Sequence, residues 1–431
     1  MPIKAQQTTN AGLLSEADLQ FLESLTRAVV DSSRILPGQQ VSKEFGGNNT
    51  GGTLIRPGGR TSYPSFWIRD YAMSLESGFI SLQEQKHMLL LTASTQNDQT
   101  IITDGGSMIP IGAIADHIRI DDGKPVYFPG TYNFLEQGNK TFGMFPPYCD
   151  QFFFIHMAYE YVRSSKDLNM LNQLVNGQKL IDRLILAFKV VPVKMNNPLV
   201  YTTDDFRGVD FGFRDVISMT GSLAFPSILK YRAAIQLSVL LTNLKRRDEA
   251  LEFAKIGSEL KSAIPDTFLD NRGMLNASTK KSKQPDVWST VLAIDFGILD
   301  GEQAKQTGAY LRDAYMEGYL AKNGNIRHIL IPDDYNDSTA WESSLADKGS
   351  YQNGGYWGTP IGWVCAAIAR ADVEAARKLA AEYIHELRKE DFRKGPSFGA
   401  PWECYNSNGP QNPVYMTTVT CPLVAFRNMK K

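Results

Sequence analysis

Apolar residues recur along this chain at helical spacing, in segments that come in pairs. Residues 15–35 open with Ser15, whose side chain suits the first free backbone N–H groups, and place Leu19, Leu22, Leu25 and Val29 on one face. A second such pattern runs over residues 70–93. Pairs follow at 150–163 and 166–190, at 221–243 and 246–263, at 286–299 and 302–316, and at 359–371 and 373–389, where Asp372 reads as a cap. A short apolar segment, TTVTCPLVAF, comes near the end, and strand-like runs are confined to 189–193 and 326–332. Nothing suggests alternating strands and helices, and no glycine-rich nucleotide motif precedes a helix. Hairpins recurring roughly every 45 to 65 residues predict a closed or stacked array of helical hairpins in one domain spanning residues 1–431.

Composition narrows the function classes. Of 431 residues, 43% are hydrophobic and 21% charged, with a formal net charge of −1. That balance gives no electrostatic footprint for nucleic acid or an anionic membrane, and no apolar run is long enough to span a bilayer. The start, MPIKAQQTTNAGLLSE, lacks the layout of a secretion signal, which leaves cytoplasm and periplasm both open. The five histidines are dispersed and the four cysteines show no metal-type spacing, so neither a metal nor another cofactor is expected. The informative excess is aromatic: 22 Phe, 18 Tyr and 6 Trp, many beside Gly, Asp and Asn in loops. Aromatic faces next to short polar side chains suit sugars, although core packing accounts for most rings.

Four segments stand apart. In YPSFWIRDYAMSLESG (63–78), Trp67, Arg69 and Asp70 sit just before a helix; Asp70 reads as a helix cap or, with its neighbours, as a sugar-recognition element. TTDDFRGVDFGFRDVISMTG (202–221) carries Asp204, Asp205, Asp210 and Asp215 among Phe and Arg; it reads as a solvated acidic loop or as the home of a general acid whose proton is retained by desolvation. In YQNGGYWGTPIGW (351–363), Asn353, Tyr356 and Trp357 fit either a structural turn or hydroxyl contacts and ring stacking. In FGAPWECYNSNGPQNPVYMTTVTCP (398–422), Glu403 follows Trp402 in a Gly-, Pro- and Asn-rich stretch, as a surface glutamate or a second catalytic carboxylate.

These residues, in this order, resemble the six-hairpin glycosidase superfamily, the (α/α)6 toroids. FWIRDYAM resembles the W-x-RD segment of glucoamylase-like enzymes and exo-acting α-mannosidases, and QNGGYW the NGG-x-W segment of glycogen-debranching toroids. GVDFGFR is similar to the G-W-D-x-S segment of trehalase-like members, with Val209 in place of the tryptophan, and PWECYN resembles the late glutamate segment of glucoamylase-like members. The resemblance implies an all-α (α/α)6 toroid with long loops at one end forming the site. It implies an inverting exo-acting hydrolase of an α-glucoside or α-mannoside, with a carbohydrate as its partner. Asp210 or Asp215 would protonate the leaving oxygen and Glu403 would activate water. Trp67, Arg69, Asp70, Asp205, Asn353, Tyr356, Trp357 and Trp402 would hold the sugar. A phosphorylase, epimerase or lyase on the same scaffold, or a non-catalytic sugar-binding protein, are the competing readings.

Overall fold

The structure is a computed structural model that describes residues 12–58, 60, 62–131, 133, 136–140, 143–204 and 214–430. Among them are twelve α-helices: α1 (Glu16–Ser33), α2 (Ile68–Ser74), α3 (Leu82–Ser94), α4 (Cys149–Ser165), α5 (Leu180–Val190), α6 (Ala224–Asn243), α7 (Arg247–Phe268), α8 (Val287–Asp295), α9 (Gly301–Met316), α10 (Ile361–Ala369), α11 (Val373–Lys389) and α12 (Thr417–Lys430). The even-numbered helices pack each against the next, from α2 through α4, α6, α8 and α10 to α12, and α12 returns to α2. This closes a ring. The odd-numbered helices lie outside it, α1 on α12, α3 and α5 on α4, α7 on α6, and α9 and α11 on α10.

Burial separates the two layers. In α8 every residue from Val287 to Ile294 is buried, and α4 buries Cys149 to Ala158 without a break, as helices enclosed on all sides must. Outer helix α11 buries a stripe, Ala375, Ala376, Leu379, Ala380, Tyr383, Ile384 and Leu387, and leaves its other face to solvent. The caps read from sequence are in place: Ser15 accepts from the Asp18 amide and Asp372 from the Ala375 amide. The single pattern over 70–93 is two helices. Gly78, at φ +79°, ends the first, and Ser81 with Glu84 forms a capping box that starts the second.

TTVTCPLVAF belongs to α12, the helix that completes the ring. Pro422 cannot donate to the Thr418 carbonyl, and the Tyr383 hydroxyl on α11 donates to that oxygen instead. Of the run at 189–193, Lys189 and Val190 end α5 and Val193 makes an isolated bridge to Val200; of 326–332 only Ile326 is in a strand, paired through Asn325–Ile326 with Ala321–Lys322.

An all-α chain is too strict a description, because eight small sheets are present among the described residues, seven two-stranded and one three-stranded. Several brace the segments leading into inner helices. Ser65–Trp67 pairs with His117–Arg119 just before α2, and Trp402–Asn406 pairs with Gly409–Pro413 just before α12. Long loops at the N-terminal ends of the inner helices are thereby held by backbone ladders.

Layer contact is close where glycine permits it. A Cβ built on Gly308 of α9 would lie 2.2 Å from the Ala367 carbonyl oxygen of α10. Helix propensity alone favours Gly308→Ala by about 1 kcal/mol. The backbone clash should win, so the variant is expected to lose about 1–3 kcal/mol in urea unfolding. Stabilisation would mean that the two helices can move apart freely.

Candidate functional site

Glu403 lies on the strand Trp402–Asn406 and is 1% exposed. Tyr63 donates its hydroxyl to Oε2 at 2.7 Å, Tyr351 donates to Oε1 at 3.0 Å, and the Asn412 amide donates to Oε2 from the opposite strand. A carboxylate offers about four acceptor directions, so roughly one remains for a further donor. All three donors sit on left-handed backbone, at φ +59° (Tyr63), +49° (Tyr351) and +45° (Asn412). That conformation is strained for tyrosine, and such strain persists only where the surroundings enforce it.

Consecutive residues tie Glu403 to a mid-chain acid. Tyr351 holds Glu403, and the next residue, Gln352, donates Nε2 to Oδ1 of Asp215 at 2.5 Å. Asp215 keeps 18% of its side chain exposed, and its Oδ2 lies 4.0 Å from Nη2 of Arg69. Asp70, in the first turn of α2, is 2% exposed and accepts the Tyr415 hydroxyl at 2.5 Å. The Tyr415 ring leans on Tyr63 with centroids 5.9 Å apart. Arg69 is the cation of this group: Nη1 is 2.6 Å from Asp116 and 3.9 Å from Asp150 of α4. Asp116 also bonds Nδ1 of His117 at 2.7 Å, and the His117 ring stacks on Trp67 at 4.5 Å.

Burial governs the protonation of these acids. It raises Glu403 to about 7 against the lowering bonds from Asn412 and Tyr63, with smaller upward pushes from Asp70 and Asp215. It raises Asp70 to about 7 against the pull of Arg69 and Tyr415, and it raises Asp215 as well. Asp116 is the exception: burial pushes it up, but Arg69 and His117 together outweigh burial and hold it below the usual carboxylate range. The result is one firmly ionised aspartate under the site and three acids that keep their protons to higher pH.

The residues singled out from sequence divide into three groups. Glu403, Asp215, Asp70, Arg69 and Trp67 converge. Asp205 and Asp210 lie outside the described residues. The others are placed differently from the sequence expectation. Trp357 is fully buried against Trp288 and His328 with Nε1 on the Tyr351 carbonyl. Asn353 is 1% exposed, and its amide bonds Thr339, Ala340 and Ala346 of the preceding segment. Neither offers a free face to a sugar; both stiffen the loop that delivers Tyr351. The Tyr356 ring lies under the Arg327 guanidinium, and its backbone pairs with Tyr405. Trp402 alternates with Glu403 along the strand and turns its ring onto Gly399. Arg69 itself is nearly buried among aspartates, which makes it an anchor for acids.

Sequence reading missed Tyr63, Tyr351, Gln352, Asn412 and Tyr415, although all five lie inside the segments it singled out. It also missed Asp116 and Asp150, for which the only local signal is that Asp150 opens an inner helix. No group of three His, Cys, Asp or Glu side chains among the described residues could hold a metal ion, and no described helix is long and apolar enough to cross a membrane.

No protein-family model and no curated protein sequence matches this chain. Solved structures do. A rhamnosidase from Klebsiella oxytoca with rhamnose bound superposes with a TM-score of 0.55 at 12% identity, over 96% of this chain and 64% of that one. A GH78-family rhamnosidase of Bacillus sp. GL1 superposes with a TM-score of 0.54 at 11% identity, over 95% of this chain and 34% of that one. What is shared is the fold. This chain therefore spans just under two thirds of the first relative and about a third of the second.

Folding raises the pKa of Asp70 from 3.8 to about 7, so the folded chain binds that proton more tightly than the unfolded one. The resulting stability is complete below about pH 4 and is lost as pH rises to about 7. Asp70→Asn, which retains an acceptor for Tyr415, is therefore expected to gain stability relative to the parent chain across that interval. Urea unfolding of both at several pH values checks this, and a pH-independent difference would remove burial as the cause.

Proposed function

We propose that this protein is a glycoside hydrolase of the six-hairpin, (α/α)6 type that removes a terminal sugar. The reading rests on one observation: an acid from mid-chain, Asp215, and a glutamate from the tail, Glu403, meet through adjacent side chains of one loop. Asp215 is the more accessible, and its raised pKa suits a general acid that protonates the leaving glycosidic oxygen. Glu403, surrounded by donors, suits the base that deprotonates an attacking water. Asp210, outside the described residues, is the other mid-chain acid for the first role. Asp70 and Trp67 would face the sugar at the base of the site.

A base acting on water gives single displacement, so inversion at the anomeric carbon is expected. The substrate is an α-linked glycoside. Glucosides and mannosides follow from the sequence resemblance, and rhamnosides join them because chains sharing this fold include a rhamnosidase with bound rhamnose. The competing chemistries on such a scaffold, phosphorolysis, epimerisation and elimination, have no specific feature of the site in their favour.

The test is hydrolysis of nitrophenyl α-glucoside, α-mannoside and α-rhamnoside by the parent chain, Asp215→Asn and Glu403→Gln. With circular dichroism unchanged, each variant should lose roughly 10²–10⁴-fold in kcat on the accepted substrate. Proton NMR of the first-released sugar should show the inverted anomer. Parent-like turnover by Glu403→Gln would end the assignment of the base.

A further inference from the structure

The ring has a second recess, at the end away from the carboxylate site. The acids described above cluster at the N-terminal ends of the inner helices. Glu76 follows the last turn of α2, Asp295 is the last residue of α8, and His156, Arg232 and Gln236 lie further along α4 and α6. Together with inner-helix rings these five side chains line a cavity of about 290 Å³.

Several polar groups of its wall have no protein partner among the described residues. Arg232 makes no hydrogen bond and has no carboxylate within 4 Å among the described residues; its guanidinium lies 4.8 Å from the Phe296 centroid. The Asp295 carboxylate likewise has no hydrogen bond or ion pair among them. Gln236 donates to Nδ1 of His156 at 2.8 Å, which assigns the ring proton to Nε2. Both residues are more than nine-tenths buried, and Nε2 of His156 and Oε1 of Gln236 have no hydrogen-bond partner. The nearest carboxylate to that Nε2, Glu76, is 3.8 Å away. Buried polar groups left in this state cost free energy unless something occupies the space beside them.

The arrangement selects among ligands. A cation would meet Arg232, and an anion would meet Glu76 and Asp295. A molecule whose groups both donate and accept can satisfy the guanidinium, the imidazole N–H, the amide oxygen and the carboxylates together. The aromatic wall of Phe153, Phe225, Phe296 and Trp363 offers surface for C–H faces. Both carboxylates reach solvent at the cavity mouth; partial desolvation raises Glu76, and partial desolvation together with the charge of Glu76 raises Asp295 to about 6. The volume is at the lower limit for ligand pockets and fits one ring rather than a chain of them.

We propose that this cavity is a second binding site, distinct from the carboxylate cluster, for a small neutral polyhydroxylated molecule of monosaccharide size. The proposal does not depend on hydrolytic activity. D-glucose and L-rhamnose are the probes, titrated calorimetrically into the parent chain and into Asp215→Asn, Arg232→Lys and Asp295→Asn, with tetramethylammonium and acetate as charged controls. The expected result is a sugar-binding event that survives in Asp215→Asn and weakens roughly tenfold or more in Arg232→Lys and Asp295→Asn. Loss of all sugar binding in Asp215→Asn alone, indifference to both cavity substitutions, or cavity binding of a charged control in place of the sugars would overturn it. If the cavity variants do not keep the parent melting temperature, parent crystals soaked in each sugar decide. Sugar in the far cavity supports the site, and an empty cavity at saturating sugar overturns it. A chain that hydrolyses nothing can pass this test and an active hydrolase can fail it, so the two readings stand or fall separately.

Discussion

Keeping several carboxylates dry at one mouth of a helical ring is the constraint on which this structure turns. Asp70, Asp116, Asp150, Asp215 and Glu403 come from different parts of the chain, and the Arg69 guanidinium lies within 4.0 Å of three of them, Asp116, Asp150 and Asp215. One guanidinium cannot neutralise all the acids gathered around it. The structure resolves this by giving Arg69 and His117 to Asp116 and surrounding the others with neutral donors: Tyr415 for Asp70, Gln352 for Asp215, and Tyr63, Tyr351 and Asn412 for Glu403. Helix N-termini also point to this end, and Asp70 and Asp150 lie in first turns where the helix dipole favours negative charge.

Such an arrangement needs a stiff frame. The three side chains that hold Glu403 all come from left-handed backbone, a conformation costing on the order of 1–3 kcal/mol for each non-glycine residue. The frame that offsets this is the closed double layer of helices, continued upward by short ladders into the loops. Trp357 and Asn353 belong to the frame: one packs the Tyr351 loop onto Trp288 and His328, and the other ties that loop to Thr339 and Ala340. Ring closure through α12 matters equally, because Tyr415 and Glu403 ride on the segment that leads into it.

The two ends of the ring share inner helices but differ in chemistry. At the N-terminal mouth the acids are satisfied by side-chain donors that aim them. At the far end Nε2 of His156 and Oε1 of Gln236 lack partners, and aromatic rings stand beside Arg232 and Asp295. Positioned acids suit a reaction, whereas unfilled mixed donors and acceptors suit reversible binding.

Helical hairpins, the Ser15 and Asp372 caps and the candidate acids Asp215, Asp70 and Glu403 were legible in the chain itself, because caps and amphipathic stripes depend on neighbours three or four residues away. The last helix was obscured by its threonines, valines and Pro422, whose cost is met by Tyr383 from α11, a partner that local pattern cannot reveal. The same limit hid Asp116 and Asp150 and made Trp357 and Asn353 resemble sugar contacts, since an Asn-Gly-Gly turn with aromatics reads alike whether its rings face solvent or core. Which acids share Arg69, and which keep their protons, was decided only by tertiary structure: burial and charge separation are set by residues hundreds of positions apart, and Coulomb interactions follow distance in space rather than order along the chain.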